Sequence, residues 1–225
     1  DKWVVVEDDD TISFIPVWPG SMVKTAFGGA KVIGMSATLT PKILTQLGVE
    51  EKEMEFIDYP SIFALERRPF TWVPTARMSY RSTDADLNAV VGRVDQIIRT
   101  RLDRKGILHA VSYDRMVAIA RLSFHSNVMI THDRGGVQEA VSRFRAAQAP
   151  AVLLSPSITH GFDLPEADYI ILVKVAWPDS RDPVTKRRAA EDPDYLAHLA
   201  MQAVVQGSGR GMRSPDQISE IFCLD

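Results

Sequence analysis

Near the carboxyl end, Gln206-Gly207-Ser208-Gly209-Arg210-Gly211-Met212-Arg213 gathers the residue types that polyphosphate chemistry needs. Its glycines leave the backbone open to close approach. Arg210 and Arg213 are three apart, so a helical turn would set them on one face. Two permanently charged forks side by side suit a polyphosphate. The same residues also read as a solvated glycine turn with two surface arginines. Gly207-Ser208-Gly209 imitates part of a dinucleotide fingerprint, but that fingerprint joins a strand to a helix and this run follows a helix. Three more polar stretches follow apolar runs: Ser36-Ala37-Thr38, Ser112-Tyr113-Asp114 and Thr159-His160-Gly161-Phe162-Asp163. Asp163 could accept from a ribose or orient an arginine, with Gly161 allowing a tight bend. It could equally cap a turn before Pro165. Ser36 and Thr38 precede Pro41 and could simply belong to the start of a helix, for which Thr40 is the best cap.

Other patterns are decoys. Val4-Val5-Val6-Glu7-Asp8 resembles a strand ending in magnesium-binding acids, yet no G-x-x-x-x-G-K-[ST] loop accompanies it, and residues 7–10 read as a solvated turn. His109, His132 and His160 could converge, but their spacing matches no compact zinc signature, so no metal is expected. Ser36 lacks the second glycine of a nucleophile elbow. Cys223 is the single cysteine, which excludes a disulfide framework and a four-cysteine cluster. The net charge of −3 offers no general attraction to nucleic acid, though a local basic groove is compatible with it. No apolar run approaches a membrane span and no signal peptide opens the chain, so a cytoplasmic protein is expected.

These residues must be held by a scaffold, and 225 residues with 45% hydrophobic content can build one. Residues 3–17 read as a hairpin and 21–27 as helical turns stopped by Gly28-Gly29, together an N-terminal element over 1–30. Residues 31–35 read as a strand, and Pro41 opens a helix that Gly48 ends. Residues 50–82 form an irregular segment, with strands expected at 53–58 and 70–73. Residues 84–103 carry the longest helical periodicity. Strands at 107–111, 128–131, 151–154, 169–175 and 218–224 then alternate with helices at 115–124, 137–147 and 195–205. That order predicts an α/β fold of three layers, a mostly parallel sheet with helices on both faces, within one domain over 1–225. Right-handed crossovers place the strand carboxyl ends on one edge, the expected edge for the site.

Taken in order, the polar stretches resemble the motifs of a superfamily 2 helicase, in its XPD/DinG-like branch. Met35-Ser36-Ala37-Thr38-Leu39-Thr40-Pro41 is similar to helicase motif III, and 107–113, ending Ser112-Tyr113, is similar to motif IV. Residues 155–165, ending Gly161-Phe162-Asp163-Leu164-Pro165, resemble motif V. Residues 206–213 fit Q-x-x-G-R-x-x-R, motif VI, and Asp216 follows as in that pattern. The likeness runs from about residue 12 to 225. It departs at Thr159-His160, where the DinG-like pattern has an aromatic-acidic pair.

The resemblance implies the second RecA-like domain of a two-domain motor, with a missing N-terminal RecA-like domain that would hold ATP, magnesium and most of the phosphate contacts. It implies Arg213 as arginine finger, Arg210 as a second γ-phosphate contact and Gln206 orienting nucleotide or water. Gly209, Gly161 and Asp163 would contact or sense nucleotide. Ser112, Tyr113, Thr131 and Thr159 would meet single-stranded DNA or RNA, and Ser36 and Thr38 would couple the two sites. The basic run Lys186-Arg187-Arg188 could touch nucleic acid or be a solvated face. A monomer, inactive alone, is expected. The alternative from another class is a non-catalytic RecA-like interaction module.

Overall fold

Two apolar runs separated by acidic residues fold back on each other at the start of the chain. Strands β1 (Trp3–Asp8) and β2 (Thr11–Pro16) pair antiparallel, with Trp3 opposite Pro16 and Asp8 opposite Thr11. They come from a computed structural model that describes residues 2–8, 10–79, 81–157, 164 and 167–225. The contacts divide into two units, Asp1–Pro60 with Trp177–Gln202, and Ser61–Ala176 with Ala203–Asp225. In the first unit helix α1 (Gly20–Phe27) stops at Gly28, whose φ of 54° is the left-handed cap that glycine takes without strain. Helix α2 (Pro41–Gln46) starts at Thr40, whose hydroxyl accepts from the Ile43 amide.

Two expected strands are absent. Residues 31–35 form no ladder with any described strand, and Ile33 and Met35 are each 97% exposed. A strand needs a neighbour for its amides, and here β1 and β2 occupy each other. Residues 53–58 likewise form no strand; a short 3-10 turn at Glu51–Glu53 leads into open chain.

The second unit carries the expected sheet. Strand β3 (Phe70–Trp72) is followed by helix α3 (Asp84–Arg99), strand β4 (Lys105–His109), helix α4 (Tyr113–Leu122), strand β5 (Met129–Ile130) and helix α5 (Val137–Ala146). Strands β6 (Ala151–Ser155), β7 (Tyr169–Leu172) and β8 (Glu220–Cys223) complete it. The six strands lie in the order β3-β8-β7-β4-β6-β5, and every pairing is parallel. The period of two divides each central strand between the faces. Leu108, Val152, Leu154 and Ile171 pack under Val90, Val94 and Ile98 of α3 and Ile119 of α4. Ile107, Leu153 and Ile170 pack under Ala140, Val141 and Phe144 of α5. This is the three-layer RecA-like architecture, with the central strands buried on both sides.

Local chemistry fixes the ends. Thr83 and Asp86 form a reciprocal capping box at the start of α3. Asp95, buried in α3, accepts from the Ser123 hydroxyl and the Phe124 amide and so ties α3 to the end of α4. Arg101 grips both carboxylate oxygens of Glu220 at 2.7 and 3.0 Å while lying over the Phe222 ring. Those charge-assisted bonds hold the Glu220 carboxyl below its ordinary pKa.

The remaining elements include one that periodicity misses. Helix α6 (Pro183–Glu191) opens with Asp182 accepting from the Thr185 amide and Pro183 in the first turn. Only Val184 of this helix is buried, so its sequence carries little apolar period. Helix α7 (Tyr195–Ser208) follows. Arg188 is not part of a solvated run: its Nε donates to the Val17 carbonyl, and its guanidinium lies over the Trp18 ring, which meets Tyr195 edge-on. Lys42 and Gln46 of α2 both reach Asp192 at 2.8 Å.

Candidate functional site

The arginine-bearing segment is pressed onto the sheet by its glycines. Gly207 is buried where its α-hydrogen faces Leu172 and His109, the last residues of β7 and β4. A 3-10 turn, Gly209–Gly211, continues from α7. Gly211 is also buried, and a Cβ there would sit 2.5 Å from the Ala167 carbonyl and closer still to the Ser219 hydroxyl. Met212, 3% exposed, anchors the exit. The loop beyond is closed by Gln217, whose side-chain oxygen accepts from the amides of Arg213 and Ser214. Arg213 Nη1 donates to the Gly209 and Met212 carbonyls, and the side chain remains exposed while Arg210 is half-buried.

Two expectations need correction here. Arg210 and Arg213 do not share a helical face, because the turn ends at Gly211 and Met212 is extended (φ −108°, ψ 116°). The arginine turn also leaves the carboxyl edge. Gly207 lies over the strand ends, whereas Gly211 lies against Ala167 and Ser219, which lead into β7 and β8. A crossover helix runs antiparallel to its strands, so its last turn descends to their amino ends.

Ser112, Tyr113 and Thr131 follow the carboxyl ends of β4 and β5. Ser112 caps α4, accepting from the Arg115 amide, so the bland role of this serine is filled. Tyr113 is half-buried, edge-on to His132 at 5.7 Å and under the Arg134 guanidinium at 5.4 Å. Thr131 offers its carbonyl to Arg143. Thr159, Gly161 and Asp163 lie outside the described residues. In the other unit Ser36 and Thr38 make a hydroxyl turn, with the Thr38 amide donating to Ser36 Oγ. The Thr38 carbonyl accepts from Gln202 of α7, one helical turn before Gln206.

A family model described as the helicase C-terminal domain matches residues 97–225, more than half of the chain. The chain belongs to that family. No curated protein sequence matches it. Among solved structures, S. tokodaii Xpd4 superposes with a TM-score of 0.53 at 15% identity, over 71% of this chain and 34% of that one. An XPD helicase gives 0.55 at 15% identity, over 69% and 31%, and an apo form of XPD gives 0.53 at 15%, over 70% and 35%. The fold is therefore that of the XPD helicases, and the chain spans about a third of the length of those structures.

Within this helicase C-terminal domain two histidines fare differently. His132 is buried with both nitrogens engaged, by Ser155 Oγ at 2.7 Å and the Asp133 carbonyl at 2.6 Å. His109 is 3% exposed, with the Gly207 backbone against its ring. Among the described residues no group of three His, Cys, Asp or Glu could hold a metal. Sequence reasoning missed Gln202, Gln217 and Ser219. Only Gln217 carried a signal, in the turn-forming run Ser214-Pro215-Asp216 that precedes it.

Burial, reinforced by the charge of Arg210, pushes His109 down to about 4, so the ring is neutral at neutral pH. The unfolded ring protonates near 6.5 and the folded ring only near 4. Stability from this group is complete above pH ~6.5 and declines as pH falls, because the unfolded chain takes up a proton that the folded ring refuses. The loss should reach about 2 kcal/mol by pH 5. Urea titrations at pH 7 and pH 5 should show it in the wild type, and His109→Leu should lack it. An equal loss in both would remove His109 as the cause.

Proposed function

We propose that this chain is the second motor domain of an ATP-driven nucleic-acid helicase, acting on DNA. ATP and magnesium are held mainly by a first RecA-like domain. Arg213 reaches across as the arginine finger and Arg210 supplies a second positive charge to the γ-phosphate. Gln206 orients nucleotide or water, with Gly209 leaving room for the phosphates, and Gly161 and Asp163 sense the nucleotide. The strand is met at the carboxyl edge by Ser112, Tyr113, Thr131 and Thr159. Phosphate recognition by hydroxyls and helix starts suits a chain of net charge −3. Ser36 and Thr38 couple strand and nucleotide.

The observation that carries this reading is the 209–213 turn: two buried features, Gly211 and Met212, fix its backbone while Arg213 stays outside the core. Such a fork is pre-organised for charge presented by another body. The exposed apolar residues Ile33 and Met35 add support, since they offer a second body an apolar surface. The chain alone should show no ATP turnover. Joined to a P-loop motor domain of the same family, it should show turnover stimulated by single strands. Absence of stimulated turnover in the joined protein favours the interaction-module reading. Turnover by the pure chain would overturn the assignment of the nucleotide cradle to another domain.

A further inference from the structure

Tyr113 and Arg134 come from different loops of the sheet-bearing unit and meet beyond the carboxyl ends of its strands. Tyr113 follows β4 as the first residue of α4, and Arg134 follows β5. Strand β6 lies between those two strands. Its last residue, Ser155, engages His132 Nε2, while the Asp133 carbonyl engages Nδ1. With both nitrogens held, the His132 ring is a fixed wall, and Tyr113 stands edge-on to it. Tyr113 also packs against the core cluster beneath α3 and α4. The Arg134 guanidinium lies over the Tyr113 ring at 5.4 Å. Arg134 is exposed, and no carboxylate among the described residues pairs with it. The acids beside the pair in sequence have other places. Asp133 Oδ1 accepts from the Gly135 amide, and Asp114 sits in the first turn of α4, where the helix dipole favours it.

We infer that Arg134 is a strand-binding residue, its guanidinium seated over Tyr113 to meet a phosphate of the single-stranded nucleic acid, and that Tyr113 acts through it as a positioning residue. This deepens the strand-binding reading of the carboxyl edge and rests on it. An arginine with no fixed position loses side-chain freedom when it grips a ligand. Attraction to the ring restricts that freedom beforehand and leaves the N–H donors to an anion. The guanidinium is weakly hydrated, and its fork matches phosphate oxygens. The start of α4 adds positive potential at the same place. Core, His132 and Arg134 together cover Tyr113, so this position shows the nucleic acid a charge more than a ring. Such a contact fixes register along the nucleic acid and reads no base.

The test measures binding of the whole chain to fluorescent oligo-dT over a range of salt concentrations. Arg134→Gln should weaken binding about tenfold at low salt, the scale of one hydrogen bond to a charged group. It should also reduce the slope of log affinity against log salt by ~0.7, the share of one phosphate contact on a single strand. Tyr113→Phe keeps the ring and should bind like the wild type. Tyr113→Leu should lose affinity, and adding it to Arg134→Gln should cost nothing more, because the two side chains act as one unit. A ring needed only for folding would instead add its own loss. Unchanged affinity and slope in Arg134→Gln, in a wild type that binds oligo-dT, overturns the inference and leaves the strand reading intact. Losses that add in the double variant overturn the positioning role of Tyr113. A wild type that binds no oligo-dT at any salt concentration removes the strand reading and this contact with it.

Discussion

Arg213→Ala, placed in this chain joined to a P-loop motor domain of the same family, should cut strand-stimulated ATP turnover by ~10³–10⁵-fold. That range is about 4–7 kcal/mol of barrier. It is far more than a surface arginine contributes to anything else. Arg213 is exposed, and its Nη1 bonds go to the Gly209 and Met212 carbonyls at a loop that Gln217 also holds. Gly211 and Met212 fix the turn, so removing the side chain should leave the fold in place. Nucleotide binding should survive too, because a finger acts on charge that develops in the transition state. Arg213→Lys should rescue little, since a point charge does not replace a planar fork. Single-turnover kinetics with a fluorescent nucleotide separates the two effects. A rate within tenfold of wild type takes Arg213 out of the site, and a large loss of nucleotide affinity would make it a ground-state contact instead.

The architecture was legible wherever a strand is buried on both faces. Residues 107–111, 151–154 and 169–175 are nearly continuous apolar runs, and they became β4, β6 and β7 at the centre of the sheet. Residues 31–35 have the same composition but no ladder among the described residues, and composition cannot say whether a neighbour exists. Helix α6 failed in the opposite sense. Its start was written in Asp182-Pro183, a cap followed by a first-turn proline, but one buried residue gives no period to find. The site was legible as residues and not as geometry. The spacing of Arg210 and Arg213 assumed a continuing helix, and Gly211 ends it. Which edge the turn reaches depends on the direction of α7 against the strands, a property of topology rather than of spacing. Ser112 shows a limit of a different kind, since one hydroxyl cap serves a plain helix and a phosphate site equally well.

Gly211→Ala should be the most damaging small substitution in the arginine-bearing segment. The added methyl meets the Ala167 carbonyl at 2.5 Å and the Ser219 hydroxyl closer still. Neither can yield cheaply. Ala167 is buried and leads into β7, and Ser219 is fully buried with its hydroxyl donating to that same carbonyl. The segment must lift off the sheet, and Met212, 3% exposed, must lift with it. Overpacking of this kind costs ~1–3 kcal/mol, which for a chain of this size lowers the melting temperature by roughly 2–4 °C per kcal/mol. Gly209→Ala is the control, because a Cβ there meets nothing within 4 Å. It should melt close to wild type. The contrast separates two roles that glycine plays within three residues. At Gly209 the space around the backbone is open, and at Gly211 the missing side chain lets backbone rest on backbone. If Gly211→Ala melts like the wild type, the turn is not pressed on the sheet. Arg213 then has no fixed platform from which to act.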